Sequence, residues 1–169
     1  MALLEILQPP HPILKTRAQP VEGIDAGVRR LIDDMFETMY QAPGIGLAAP
    51  QVGVGKRLVV IDVAEGEERR PTTLVNPEIL WRSDELTTAE EGCLSLPSQF
   101  AEVTRPAAVR VRYRDADWAE HEVEADGLLA RCLQHEIDHL DGILFVDHLS
   151  TLRRNMILRR LAKARRGRA

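Results

Sequence analysis

One run near the C-terminus constrains this chain more than any other: Gln134-His135-Glu136-Ile137-Asp138-His139. On a helix, His135 and His139 stand one turn apart, so both imidazoles leave the same face and can hold one metal ion, with Glu136 beside them to move protons. The flanks support a helix. Asp126 is placed to cap its N-terminus, Leu128, Leu129, Cys132, Leu133 and Leu140 supply an apolar stripe, and Gly142 stands where a left-handed C-terminal cap is expected. Leu128, Cys132, His135 and His139 fall on one face, which points the histidines into protein rather than solvent. Histidine pairs at this spacing also arise by chance; a glutamate in motif order on a supported helix favours the metal reading.

Two histidines do not complete a catalytic metal site, which commonly takes three protein ligands and keeps one position open for water. Asp141 is close on the same turn, His148 and His121 would need the chain to fold back, and Cys132, one turn before His135, is conceivable. Cys93 is the better candidate. It lies in Glu91-Gly92-Cys93-Leu94-Ser95-Leu96-Pro97, where glycine and proline mark stiff, irregular backbone able to aim a thiolate. Most free cysteines are small buried apolar residues, so the residues alone leave the choice open. A third stretch, Gly44-Ile45-Gly46-Leu47-Ala48-Ala49-Pro50-Gln51, allows close backbone approach and ends in an amide able to donate a hydrogen bond. Taken alone, its glycines read as a tight helix-to-strand connection.

In this order and at these separations, residues 44–51, 91–97 and 134–139 resemble the three signature motifs of the peptide deformylases, each matched without a gap. The likeness in the order of apolar and turn segments extends over residues 7–149. It implies a metal-dependent hydrolase that removes the formyl group from the N-terminal N-formylmethionine of newly synthesised polypeptides and releases formate. Cys93, His135 and His139 match the metal ligands and Glu136 the proton carrier. The side-chain amide of Gln51 and the backbone N–H of Leu94 match the donors to the oxyanion. Ile45, Leu128 and Cys132 match the walls of the methionine pocket, while Gly44 and Gly46 leave room for an extended peptide beside the backbone. The resemblance further implies one divalent ion per chain, Fe2+ natively, with Zn2+, Ni2+ or Co2+ able to replace it. One position departs from the pattern: many relatives carry a basic residue where this chain has Phe100, near the mouth of the peptide site. A zinc endopeptidase built on the same helix pattern is the nearest alternative, and it would give Cys93 no metal role.

The rest of the chain is consistent with one enzyme domain. With 169 residues and 44% hydrophobic content there is material for one sizeable core. Two cysteines exclude a disulfide framework. No apolar run approaches membrane-spanning length, and residues 1–12 lack the charged and apolar regions of a secretory signal, so a cytoplasmic protein with no membrane contact is expected. Pro9, Pro10 and Pro12 forbid a continuous helix at the start. Asp25 can cap a helix whose Val28, Leu31, Ile32, Met35, Phe36 and Met39 fall at helical spacing, ended by Pro43 and Gly44 with residues 44–51 following as loop. Residues 57–63 read as a buried strand, 73–76 as a short one stopped by Pro77, and 78–88 as one or two more. Val109, Val111 and Tyr113 alternate with arginines before a turn at Asp115-Ala116-Asp117 and a return through Val123, a hairpin. The expected fold is α+β: mainly antiparallel sheet wrapped around a central metal-binding helix, plus an N-terminal helix and a basic C-terminal helix.

Charge separates the tail. Residues 153–169 hold eight of the 22 Lys and Arg and none of the 26 Asp and Glu, so they carry +8 and residues 1–152 carry −12. The expected division is a single catalytic domain, 1–152, and a basic helical tail, 153–169. Ser150 or Thr151 can cap that helix, with Leu152, Met156, Ile157 and Leu161 on one side. Such charge runs often mark no more than a solvated helix. Some deformylases resemble this chain in having a basic C-terminal helix implicated in ribosome docking, so the resemblance implies an rRNA-rich partner.

Overall fold

The computed structural model describes residues 2–64 and 68–167; Arg168 and Ala169 of the tail lie outside the described residues. In chain order the elements are α1 (Ala26–Gln41), β1 (Gly46–Ala48), β2 (Leu58–Asp62), β3 (Pro71–Arg82), β4 (Leu86–Cys93), β5 (Leu96–Pro106), β6 (Ala108–Arg114), β7 (Glu120–Asp126), α2 (Gly127–Leu140) and α3 (Thr151–Arg166), with short 3-10 turns at Pro12–Lys15, Ala49–Val52 and Phe145–His148. Strand β2 is buried at all five positions, which fixes the layering. Val59 and Ile61 pack with Leu133, Ile137 and Leu140 of α2, whereas Leu58 and Val60 pack with Val28, Ile32, Met35 and Met39 of α1. A strand covered on both faces reads as continuous apolar sequence, as residues 58–61 do.

The sheet is antiparallel throughout, in the order β1-β2-β3-β6-β7, and β4 and β5 form a separate two-stranded ribbon. Helix α2 lies between them. Its apolar stripe meets the sheet, and its polar side chains reach the ribbon: Gln134 Nε2 donates to Pro106 O at 3.0 Å, and Arg131 donates to backbone on both β4 and β5. The expected α+β architecture, sheet around a central helix, is the one observed.

Three local expectations are corrected. Pro77 does not stop a strand: β3 runs through it, because an extra residue between the Val75↔Arg114 and Glu78↔Arg112 pairs puts the missing proline N–H in a bulge. Asn76 takes a positive φ of 51° there and exchanges two side-chain hydrogen bonds with the Val21 backbone. Residues 44–51 are not all loop, since Gly46–Ala48 pairs with β2 as an edge strand. The cysteine stretch is irregular as expected, but inside a hairpin: Cys93 pairs with Leu96 across a two-residue turn between β4 and β5, the register jumps there from the Gly92↔Phe100 pair, and Ser98 takes a positive φ of 64°. Asp126 occupies the N-cap of α2 but its side chain makes no capping bond. At the other end Gly142 does adopt a left-handed φ of 75°, and a Cβ there would come within 2.7 Å of the Lys15 backbone.

Helix α3 is capped by Ser150, whose hydroxyl accepts from Arg153 N–H at 3.3 Å. Ile157 and Leu161 are buried beside Leu14, Val103 and Phe145, while Leu152 and Met156 are exposed, contrary to a four-residue apolar side. The junction is tied by Asp147, which accepts from Lys15 Nζ, from Leu144 N–H at 2.9 Å and from Arg154 Nε at 2.8 Å. Burial alone would raise this carboxyl, but the three donors outweigh it and hold its pKa below the usual value. A depressed folded pKa stabilises fully above the unfolded value, about 3.9, and that contribution is lost as pH falls through the folded one. The difference in melting temperature between wild type and Asp147→Asn is therefore expected to be flat from about pH 7 to 5 and to shrink below about pH 4. A pH-independent difference in circular-dichroism melts would remove Asp147 from the acid limb.

Candidate metal centre and cavity

Cys93 ends β4, and His135 and His139 lie one turn apart on α2, so the hairpin turn and the helix must be held together for the three to meet. They do meet: one ligating atom from each lies within 4.8 Å of the others. No other group of three His, Cys, Asp or Glu converges in this way among the described residues. Cys93 Sγ is 3.3 Å from His139 Nε2. The alternative ligands are elsewhere, with His121 on Asp115, His148 on Asp138 and Asp141 on Arg57. Cys132 Sγ is 3.8 Å from Ile45 O, and burial raises its pKa well above the usual range, so it stays a thiol in the wall.

His135 is oriented from behind. Its Nδ1 is 3.0 Å from Glu91 Oε1, and since a carboxylate only accepts, Nδ1 carries the proton and Nε2 faces forward. Glu91 in turn accepts from Arg105 Nε at 2.6 Å, Arg105 Nη2 at 2.9 Å and Arg131 Nη1 at 2.6 Å. Burial opposes charge on Glu91, yet His135 and Arg105 outweigh it and hold the carboxyl far below the usual range. Phe145 stacks on the His135 ring at 6.3 Å between centroids. Burial keeps His139 neutral by lowering its pKa. On His135 burial works in the same direction, but the hydrogen bonds to Cys93 and Glu91 prevail and raise it.

The remaining candidates surround this cluster. Gly44, Ile45, Gly46, Gln51, Cys93, Leu94, Leu128, Cys132, His135 and Glu136 line one cavity of about 600 Å³, and His139 stands behind them at 1% exposure. Gln51 is set by its own turn: Oε1 accepts from Ala48 N–H at 2.9 Å, which aims Nε2 at Ser95 Oγ, 3.1 Å, and Cys93 Sγ, 3.5 Å. Glu136 is buried, its Oε1 has no hydrogen-bond partner, and burial raises its pKa to about 7. The two glycines have side-chain neighbours. A Cβ at Gly46 would fall 2.4 Å from Glu136 Oε2 and one at Gly44 would fall 2.7 Å from Leu94 Cδ1, so each makes space for a side chain of the cavity. Phe100 lies at the cavity wall, 61% exposed, with its ring against Gly92.

A cysteine sulfur and two imidazole nitrogens suit a divalent transition-metal ion, which would take the place of a proton on His135 Nε2, and an unpartnered buried carboxyl oxygen beside them leaves a place for a water to be held. The residues fit such a group. Sequence reasoning missed the support behind it: Arg105, Arg131, Asp138 and the role of Glu91. The available signal was Arg105 falling in step with Ala101 and Val103 on the inner side of β5, and Arg131 one turn before His135.

The comparisons with known proteins point to one family. The sequence model of the family described as polypeptide deformylase matches residues 3–155. A peptide deformylase of Rhizobium meliloti is 56% identical over 165 residues, covering 97% of this chain and 95% of that one. The crystal structure of peptide deformylase from Ehrlichia chaffeensis superposes with a TM-score of 0.94 at 40% identity, covering 98% of both chains. The Ehrlichia chaffeensis structure in complex with actinonin gives 0.92 at 43% identity, covering 97% of this chain and 98% of that one. The chain belongs to the polypeptide deformylase family, metal-dependent hydrolases that remove the N-formyl group from nascent polypeptides.

Proposed function

We propose that this chain removes the formyl group from N-formylmethionyl nascent peptides, with Cys93, His135 and His139 holding one divalent ion and Glu136 moving the proton. The convergence of one sulfur and two imidazoles within 4.8 Å beside the buried, unpartnered oxygen of Glu136 carries this reading. The sulfur and nitrogen donor set suits ferrous iron, the native ion proposed here, and equally admits Zn2+, Ni2+ or Co2+. When bound, a divalent ion supplies a water whose pKa is lowered to about 7.

The chain's residues supply the rest. Ile45, Leu128 and Cys132 take the methionine side chain, and the edge strand β1 offers backbone to an extended peptide. Glu136, with its pKa near 7, takes the proton of the attacking water and returns it to the departing amine. Gln51 Nε2, fixed by the Ala48 bond, and the Leu94 N–H donate to the oxygen on which charge develops. One such donor is worth about 2.7 to 4 kcal/mol of barrier. Formate and a free N-terminal methionine leave. In anaerobically prepared, iron-loaded protein, release of formate from formyl-Met-Ala-Ser is expected, and Glu136→Gln is expected to lose roughly 10²- to 10⁴-fold in kcat with metal content unchanged. Undiminished release by the variant would take the proton role from Glu136.

No helix of the described residues is long and apolar enough to cross a membrane, and a cytoplasmic site of action matches a nascent-chain substrate. Helix α3 exposes Arg153, Arg159, Arg160, Lys163, Arg165 and Arg166, a surface for an anionic partner such as rRNA. Replacing Arg153, Arg159, Arg160 and Lys163 together by Gln keeps the buried Ile157 and Leu161 in place. That variant is expected to lose co-sedimentation with ribosomes at low salt while keeping its turnover of formyl-Met-Ala-Ser. Unchanged co-sedimentation would refute the docking role.

A further inference from the structure

Arg131 stands one helical turn before His135, is buried, and takes no part in the chemistry proposed above. Its guanidinium makes four hydrogen bonds: Nη1 to Glu91 Oε2 at 2.6 Å and Val103 O at 2.9 Å, and Nη2 to Thr87 O at 3.0 Å and Thr87 Oγ1 at 3.1 Å. We propose that Arg131 is a positioning residue for His135, acting through Glu91, and that it sets how tightly the site holds its cation. The proposal rests on the reading of Cys93, His135 and His139 as ligands.

Two features argue for it. The first is the filling of Glu91. Its Oε2 accepts from Arg105 Nε and Arg131 Nη1, and its Oε1 accepts from Arg105 Nη2 and His135 Nδ1, which occupies its four lone-pair directions. With one donor gone the carboxylate is free to turn, and the imidazole turns with it. Arg105 does not make the second arginine redundant, because its Nη1 is given to Asp138 at 2.9 Å. Arg105 is thus shared between two carboxylates, Glu91 and Asp138, and Arg131 supplies the second guanidinium to the cluster.

The second feature is mechanical. The proposed ligands come from two bodies, Cys93 from the β4–β5 hairpin and the histidines from α2. Arg131 reaches from the helix to both strands of that hairpin, at Thr87 and Val103, and so fixes the distance across which the ion must be shared. Groups behind a ligand of this kind cost about 10- to 100-fold in metal affinity when removed.

A buried arginine could serve the fold alone, and the test separates the two roles. In the full chain, Arg131→Met keeps the aliphatic stem and removes the guanidinium; Glu91→Gln breaks the link, and the double variant closes the cycle. Zn2+ affinity by chelator competition, the visible spectrum of the Co2+-loaded protein, the melting temperature without metal, and kcat and KM for formyl-Met-Ala-Ser are measured on each. Arg131→Met is expected to weaken Zn2+ about 10- to 100-fold, shift the Co2+ bands and lower kcat more than it raises KM. In the Glu91→Gln background the same change is expected to have little further effect on Zn2+. Unchanged affinity and bands, even with a lower melting temperature, would leave Arg131 a fold residue, and an undiminished loss in the Glu91→Gln background would show that it does not act through Glu91. If Arg131→Met does not fold, Arg131→Lys, which keeps charge and loses the fork, is expected to bind Zn2+ less tightly than wild type, and equal binding overturns the proposal. Failure of the wild type itself to bind Zn2+ would instead refute the ligand assignment.

Discussion

The site depends on one buried carboxylate. Glu91, on the hairpin, is held by two guanidiniums and holds a helix imidazole, and through it the hairpin and α2 become one rigid support. Removing water from these charges costs several kcal/mol per ion, which close pairing and complete hydrogen bonding offset. Breaking such a pair from one side costs roughly 3 to 5 kcal/mol, because the other charge stays buried and uncompensated. The cluster is therefore poor value as a source of stability and well suited to fixing one geometry. Where an apolar contact would let α2 slide by a fraction of a turn, a carboxylate with all its acceptor directions filled does not.

The sheet serves the same end by different forces. Packing on both faces of β2 places α2 without directional bonds, and the edge strand β1 then brings Gly46 against Glu136. Helix geometry keeps Glu136 at a fixed offset from His135, so its position beside the candidate metal centre is set by backbone rather than by a loop. The burial that confines this carboxylate also brings its pKa to about 7, where it can accept and return a proton at neutral pH. Close packing and proton chemistry are in this sense one design decision, and Gly46 is the residue that permits both.

Much of this was legible in the sequence, and the exceptions have a common cause. Helices α1 and α2, strand β2 and the β6–β7 hairpin follow apolar periodicity, and each appears close to where that pattern puts it. Most of the ribbon β4–β5 was missed because its inner face mixes charged with apolar side chains. Five of the eight β4 positions are exposed and the fully buried one is Glu91, while on β5 the inward series Ala101, Val103, Arg105 ends in a charge. A search for alternating apolar residues cannot register a strand whose core is a salt bridge. The two candidate ligand histidines were legible because their spacing is helical, whereas Cys93 is aimed by a hairpin turn most of whose strands were missed, and its selection rested largely on the resemblance to a family. Pro77 misled for the converse reason, since a bulge absorbs the missing donor that would otherwise end a strand.

In the proposed site one sulfur from the hairpin and two nitrogens from the helix share a single ion. An X-ray absorption spectrum at the zinc edge of protein loaded with one equivalent of Zn2+ tests it most directly. One sulfur at about 2.3 Å and two imidazole nitrogens at about 2.0 to 2.1 Å, with one lighter neighbour completing the shell, is the expected result. A shell of nitrogen and oxygen without sulfur would contradict it, for Cys93 would then be packing and the hairpin no part of the metal site.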